Sequence, residues 1–203
     1  MNNIINNIIC FIICFIICFF VSSAFAISKK NEETILKLIK EAKNTDQTLS
    51  LDGRWLAYIK KSDYIVPSDC FYPVSKGEHG DEIWIVDLKK MKKRLLVTNH
   101  FSCGNVKKVI LDPHHLEFSP SGKILYFETS AWVVTGAIHA VDVSGKNLRF
   151  VTDGGEYRII QNGPNKGNLV VNQHRYHDGG GSYDWDWLYT PTGERIKLYK
   201  KEN

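Results

Sequence analysis

The stretch from Leu116 to Thr152, LEFSPSGKILYFETSAWVVTGAIHAVDVSGKNLRFVT, leaves the chain little choice but β structure. Apolar Leu116 and Phe118 lead into a Ser119-Pro120-Ser121-Gly122 turn, and Ile124 to Thr129 follows, rich in aromatic and branched side chains that suit a pleated surface. A second strand is expected at Ala137 to Val143, a tight turn at Ser144-Gly145-Lys146-Asn147, and a third strand at Leu148 to Thr152. Nothing in the stretch has helical spacing.

The same order recurs on either side. Upstream, Leu51-Asp52-Gly53-Arg54 opens a strand at Trp55 to Lys60, and Ile83 to Leu88 leads through a lysine-rich turn into Arg94 to Thr98. Downstream, Lys166-Gly167-Asn168 opens Leu169 to Gln173, and Trp185 to Thr190 leads through Pro191-Thr192-Gly193-Glu194 into Arg195 to Tyr199. Three copies of one unit each leave an apolar sheet face uncovered, so they must stack on one another. The expected fold class is all-β, a stack of about three antiparallel sheets with one short N-terminal helix. That helix is expected at Asn31 to Lys43, where Ile35, Leu38, Ile39 and Ala42 share a face.

The first 26 residues contain no Lys, Arg, Asp or Glu, and Ile8 to Val21 is unbroken apolar sequence ending near Ala24-Phe25-Ala26. This is the layout of a secretory signal peptide, although its start lacks the usual Lys or Arg. The run is short for a bilayer span, so no stable membrane span is expected after cleavage. The expected organisation is a signal over 1–26, a helix and linker over 27–50, and a β domain over 51–203, in a secreted or periplasmic protein. Net charge is only +4, which gives no warrant for nucleic acid as a partner. Beyond the leader only Cys70 and Cys103 remain, and in an oxidising compartment they most simply form one disulfide. It would close a loop of roughly 30 residues, worth about 3 kcal/mol on the chain-entropy account. A metal pair or a reactive thiol would need a neighbouring partner motif, and neither cysteine has one.

The sequence FSPSGKILYF followed by IHAVDVSGKNLRFVT resembles the repeat of TolB-like and related WD40-like propellers, specifically over Leu116 to Thr152, fairly over Leu51 to Thr98 and poorly beyond Gly154. The resemblance implies propeller blades and a protein-binding role. Full propellers of this type have six or so blades, and three copies cannot close such a ring, so the resemblance implies an incomplete or open propeller-like stack. More loosely, Ser119 to Lys123 and Phe127 to Ala131 are similar to a segment of small periplasmic immunity proteins that block peptidoglycan amidases delivered by type VI secretion. That resemblance implies an inhibitor that occludes the active site of a cell-wall hydrolase.

Chemistry-bearing residues are sparse. His174, His177 and Asp178 could hold zinc or calcium, and a metal-dependent hydrolase built on them is the rival enzyme reading. On a strand, however, residues three apart face opposite sides, so the two imidazoles converge only if the chain turns. His114 and His115, being adjacent, are expected on opposite faces. His79 sits in a polar loop without Ca²⁺-loop spacing, and no nucleophile elbow, protease-type cysteine or phosphate-cradling glycine motif is present. Lys89 to Arg94 reads as a solvated turn. We therefore expect no cofactor and no catalysis. The expected activity is protein binding through two loops, Thr129 to Gly136 and His177 to Trp185, with Thr129, Ser130, Trp132, His177, Tyr183 and Trp185 as contact residues. The partner would be a cell-wall hydrolase or an envelope complex. Open sheet edges would also permit a homodimer.

Overall fold

The Ser-x-x-Gly signature builds the same turn twice. Ser50 N–H donates to the Trp55 carbonyl (2.9 Å), its hydroxyl accepts from Trp55 N–H (2.9 Å), and Gly53 N–H returns to the Ser50 carbonyl (2.8 Å). Ser119 repeats this with Ile124 at 2.8 Å and 3.1 Å and with Gly122 at 2.8 Å. Gly53 and Gly122 hold φ of 66° and 65°, a region that glycine enters without a Cβ penalty.

The structure, a computed structural model, describes residues 46–66, 79–132 and 135–199, together with Glu33 and Lys37. The chain divides into two compact units, Met1–Glu41 and Ala42–Asn203. In the first, Glu33 and Lys37 are helical, as expected of that segment. The expected signal and the rest of the expected helix lie outside the described residues. So does Cys70; Cys103 is disulfide-bonded.

The second unit holds three four-stranded antiparallel sheets. The first runs β1 (Gln47–Leu49), β2 (Trp55–Ile65), β3 (His79–Asp87) and β4 (Lys92–Val97). The second runs β5 (His114–Phe118), β6 (Ile124–Thr129), β7 (Ala137–Asp142) and β8 (Arg149–Asp153). The third runs β9 (Gly155–Ile159), β10 (Leu169–Tyr176), β11 (Ser182–Tyr189) and β12 (Arg195–Leu198). Within each sheet, strands adjacent in sequence are hydrogen-bonded neighbours, the meander of a propeller blade. The architecture is the expected open, propeller-like all-β stack. Each sheet carries a fourth strand, β1, β5 or β9, ahead of the three in the expected unit. Among the described residues no helix is long and apolar enough to cross a membrane.

Alternation along β6 and β7 sends side chains to both faces of the second sheet, and both faces are buried. Leu125, Phe127 and Val141 pack on Ala57, Ile83 and Ile85 of the first sheet. Tyr126, Ile138 and Ala140 pack on Tyr157, Leu169 and Val171 of the third. Two carboxylates of the second sheet also cross to β9, which is paired only with β10. Tyr157 N–H donates to Glu128 Oε1 (3.3 Å) and Ile159 N–H to Glu117 Oε2 (3.2 Å), so the free edge of β9 is satisfied by side chains.

Phe127 is 0% exposed, and Phe127→Ala should cost about 3–5 kcal/mol in urea-monitored unfolding. Leu51→Ala, at a position 71% exposed, should cost less than about 0.5 kcal/mol. Gly193 has φ of 92°, and a Cβ there would strike the Val151 carbonyl oxygen. Gly193→Ala should therefore lower Tm by several degrees, a loss of about 1–3 kcal/mol, while Gly104→Ala, with no atom nearby, should not.

Candidate functional site

His115 has φ of 49°, and the β5–β6 register shifts between His114 and Glu117. Strand alternation is therefore broken at the histidine pair, and both imidazoles reach one carboxylate. His114 Nε2 lies 3.2 Å from Glu128 Oε2, and His115 Nδ1 lies 3.0 Å from Glu128 Oε1. The expectation of opposite faces is overturned because it assumed regular extended backbone. His114 also donates from Nδ1 to the Asp112 carbonyl (2.8 Å), so both of its nitrogens act as donors. His115 stacks on Tyr157, with centroids 4.5 Å apart, and Tyr157 Oη donates to the His115 carbonyl (2.7 Å).

These contacts fix the charges. The Glu128 hydrogen bond raises His114 to about 9 and raises His115 as well, against the pull of burial. Burial pushes the Glu128 carboxyl upward, but the two imidazoles and Tyr157 N–H overcome this and hold it at about 2. At neutral pH the cluster is a largely buried carboxylate gripped by cationic imidazole.

The cluster forms one wall of a cleft of about 510 Å³ between the second and third sheets. His114, Glu128 and the 129–132 segment line it from the second sheet; Glu156, Asn172, His174 and Asp184 line it from the third. Asp112, His115 and Glu156, three of the non-glycine residues with positive φ, lie in or beside it, each at 49°. Such backbone is costly and collects where side chains must be aimed. Ser130 Oγ donates to Asp112 Oδ2 (3.0 Å), and His174 Nδ1 lies 2.9 Å from Asp184 Oδ1.

The chain is similar to Porphyromonas gingivalis dipeptidyl peptidase 4, with a TM-score of 0.52 and 11% identity over 78% of this chain and 24% of that one. The fold is propeller-like. The β-propeller domain of the Trilobed protease from Pyrococcus furiosus, which has an open velcro topology, matches with a TM-score of 0.46 and 16% identity over 78% of this chain and 42% of that one. TolB from Acinetobacter baumannii matches with a TM-score of 0.46 and 12% identity over 77% of this chain and 32% of that one. The chain thus spans less than half the length of each. No protein-family model and no curated protein matches the sequence. None of these comparisons supports the resemblance to amidase immunity proteins.

The structure gathers some of the expected contact residues and scatters others. Thr129, Ser130 and Trp132 line the cleft, but Thr129 is 0% exposed and its hydroxyl points to the Ala137 carbonyl (3.5 Å), so it serves as wall. Trp132 also packs edge-on against Phe150, with centroids 6.5 Å apart. The loop expected at His177 to Trp185 is shorter than that. Its tip is clamped by His177 N–H donating to the Gly181 carbonyl (3.1 Å) and Gly180 N–H donating to the His177 carbonyl (3.0 Å), and β11 has begun by Ser182. Tyr183 and Trp185 are therefore strand residues, in a row of rings running His177, Tyr183, Trp185, Trp187 with centroid spacings of 4.7, 4.4 and 6.1 Å. Trp185 in that row is 44% exposed.

His174, His177 and Asp178 are not brought together. His174 turns to Asp184 and His177 to Tyr183, and no group of three His, Cys, Asp or Glu able to hold a metal occurs among the described residues. Sequence reasoning missed Glu128, Glu156, Asn172 and Asp184. Only Glu128 left a signal: an acidic residue inside an apolar strand asks for a partner.

The cluster makes stability pH-dependent in a defined sense. Glu128, with a folded pKa depressed from 4.5, contributes stability that is present above pH 4.5 and lost as pH falls toward 2. His114, raised from 6.5, contributes stability that is present below pH 6.5 and lost as pH rises toward 9. The stability difference between wild type and Glu128→Gln should therefore be largest between pH 4.5 and 6.5 and shrink on both sides. Its peak should be about 1–2 kcal/mol, because the imidazoles are 40% and 42% exposed; denaturant titrations across pH measure it.

Proposed function

We propose that this chain is a non-enzymatic protein-binding module that works outside the cytoplasm, holding a segment of another protein at the mouth between its second and third sheets. One observation carries the reading: a cleft of about 510 Å³ with braced walls is lined in part by Asp184 of β11, the strand that also carries the row of aromatic rings at Tyr183, Trp185 and Trp187. Rigid aromatic side chains beside satisfied polar groups are what interface anchors consist of. Four of the titratable groups at the cleft and one beside them are tied in pairs, His114 and His115 to Glu128 and His174 to Asp184, which suits recognition better than proton transfer. Location outside the cytoplasm is supported by the signal-like residues 1–26 and by the disulfide at Cys103. The partner is expected among envelope proteins.

A photo-crosslinking residue placed at Trp185 or Ser130 should give a discrete protein adduct in the native cell, and one placed at Lys146, in the exposed β7–β8 turn, should give none. Unlabelled wild-type protein should compete the adduct away, and Trp185→Ala should compete at least tenfold less well. Equal adducts from all three positions, or equal competition by Trp185→Ala, would refute the reading.

A further inference from the structure

A second recess of about 400 Å³, with no lining residue in common with the cleft, lies between the segment that joins the first two sheets and the β7–β8 edge. Its walls are Ile110, Leu148 and Phe150, and its cations are Lys107, Lys108 and Arg149. No acidic residue lines it among the described residues, and none of the three cations is ion-paired there. Lys107 Nζ sits over the Phe150 ring at 5.2 Å, and the Arg149 guanidinium is held by the carbonyls of Asn147 and Pro191, each at 3.2 Å. Carbonyls orient that charge without cancelling it.

His139 also lines the recess and supplies an independent observation. It is 1% exposed, lies between Phe127 and Phe150 with centroids at 5.5 and 5.8 Å, and its Nε2 has no hydrogen-bond partner. Burial pushes it down to about 4, so the ring is neutral at physiological pH. A buried polar atom without a partner destabilises the fold, and a phenyl group would fill the same space without that cost. The recess falls in the size range of small-ligand pockets, which combine apolar walls with a few placed polar groups.

We propose that this recess binds an apolar carboxylate, a hydrocarbon ring or branched chain bearing one carboxyl group. The body lies against Phe150, Leu148 and Ile110, and the carboxylate sits among Lys107, Lys108 and Arg149. The half-buried Phe150 ring covers His139, and its displacement lets an oxygen of the ligand satisfy Nε2. The site shares no lining residue with the cleft, although Phe150 touches Trp132, and it does not depend on the protein-binding reading. The same chemistry has two sources, a small organic acid or the C-terminal residue of a polypeptide.

Calorimetric titration of the full chain with 3-phenylpropanoate, with Gly-Gly-Phe, and with the amide of each tests this. Both acids should bind at least about tenfold tighter than their amides, the worth of one charge-assisted contact. The tighter acid identifies the source. Lys107→Glu combined with Lys108→Glu, at exposed positions, should weaken acid binding at least about tenfold. His139→Phe should weaken it too while raising Tm, a pairing that a purely structural histidine would not give. The proposal falls if neither acid binds below about 10 mM, a range too weak for a specific site. It falls equally if acids and amides bind alike, or if the double lysine variant binds as wild type does.

Discussion

Burial of both faces of the second sheet is the constraint on which the rest depends. A half-buried sheet needs one apolar face, but β6 and β7 are buried at almost every position, so this sheet is stable only between two others. Leu125 and Phe127 look one way, Tyr126 and Ile138 the other, and the two cores that result share no residue. The first and third sheets can each leave a face to solvent or to another element; the second cannot. This gives the molecule the one-dimensional character of a stacked repeat, in which each module is stabilised mainly by its neighbour.

The same property decided what could be read from sequence. Leu116 to Thr152 was legible because dense apolar strands and a Ser-x-x-Gly turn agree at every level, and β6 has the bounds expected of it. The β9 strand, Gly155–Ile159, was not legible, because GEYRI carries little strand pattern and its edge depends on carboxylates from another sheet. The extra residues of β10 and β11 were hidden by the glycine triplet, which suggested a wider loop than the one that forms. In each case tertiary partners determine what local propensity leaves open.

The candidate site shows a different limit. Sequence spacing says where a side chain points only while the backbone is regular, and at His115 it is not. A left-handed residue in a strand of His114 to Phe118 turns adjacent histidines toward a common carboxylate, and no periodicity rule anticipates that. Ser130 and Trp132 line the cleft because they stand in the connection that follows β6, at the end of the sheet. Glu156 and Asn172 were missed because they reach the cleft only once β9 has been placed.

The capping of β9 by Glu117 and Glu128 has a consequence for behaviour in solution. A short strand with unfilled donors is a template on which another chain can grow, and here ionised carboxylates occupy those donors instead. Acidification that neutralises both side chains would weaken this seal while leaving the apolar cores in place. Self-association in acid would then begin along β9, before global unfolding, through intermolecular backbone pairing in the manner of early fibril growth.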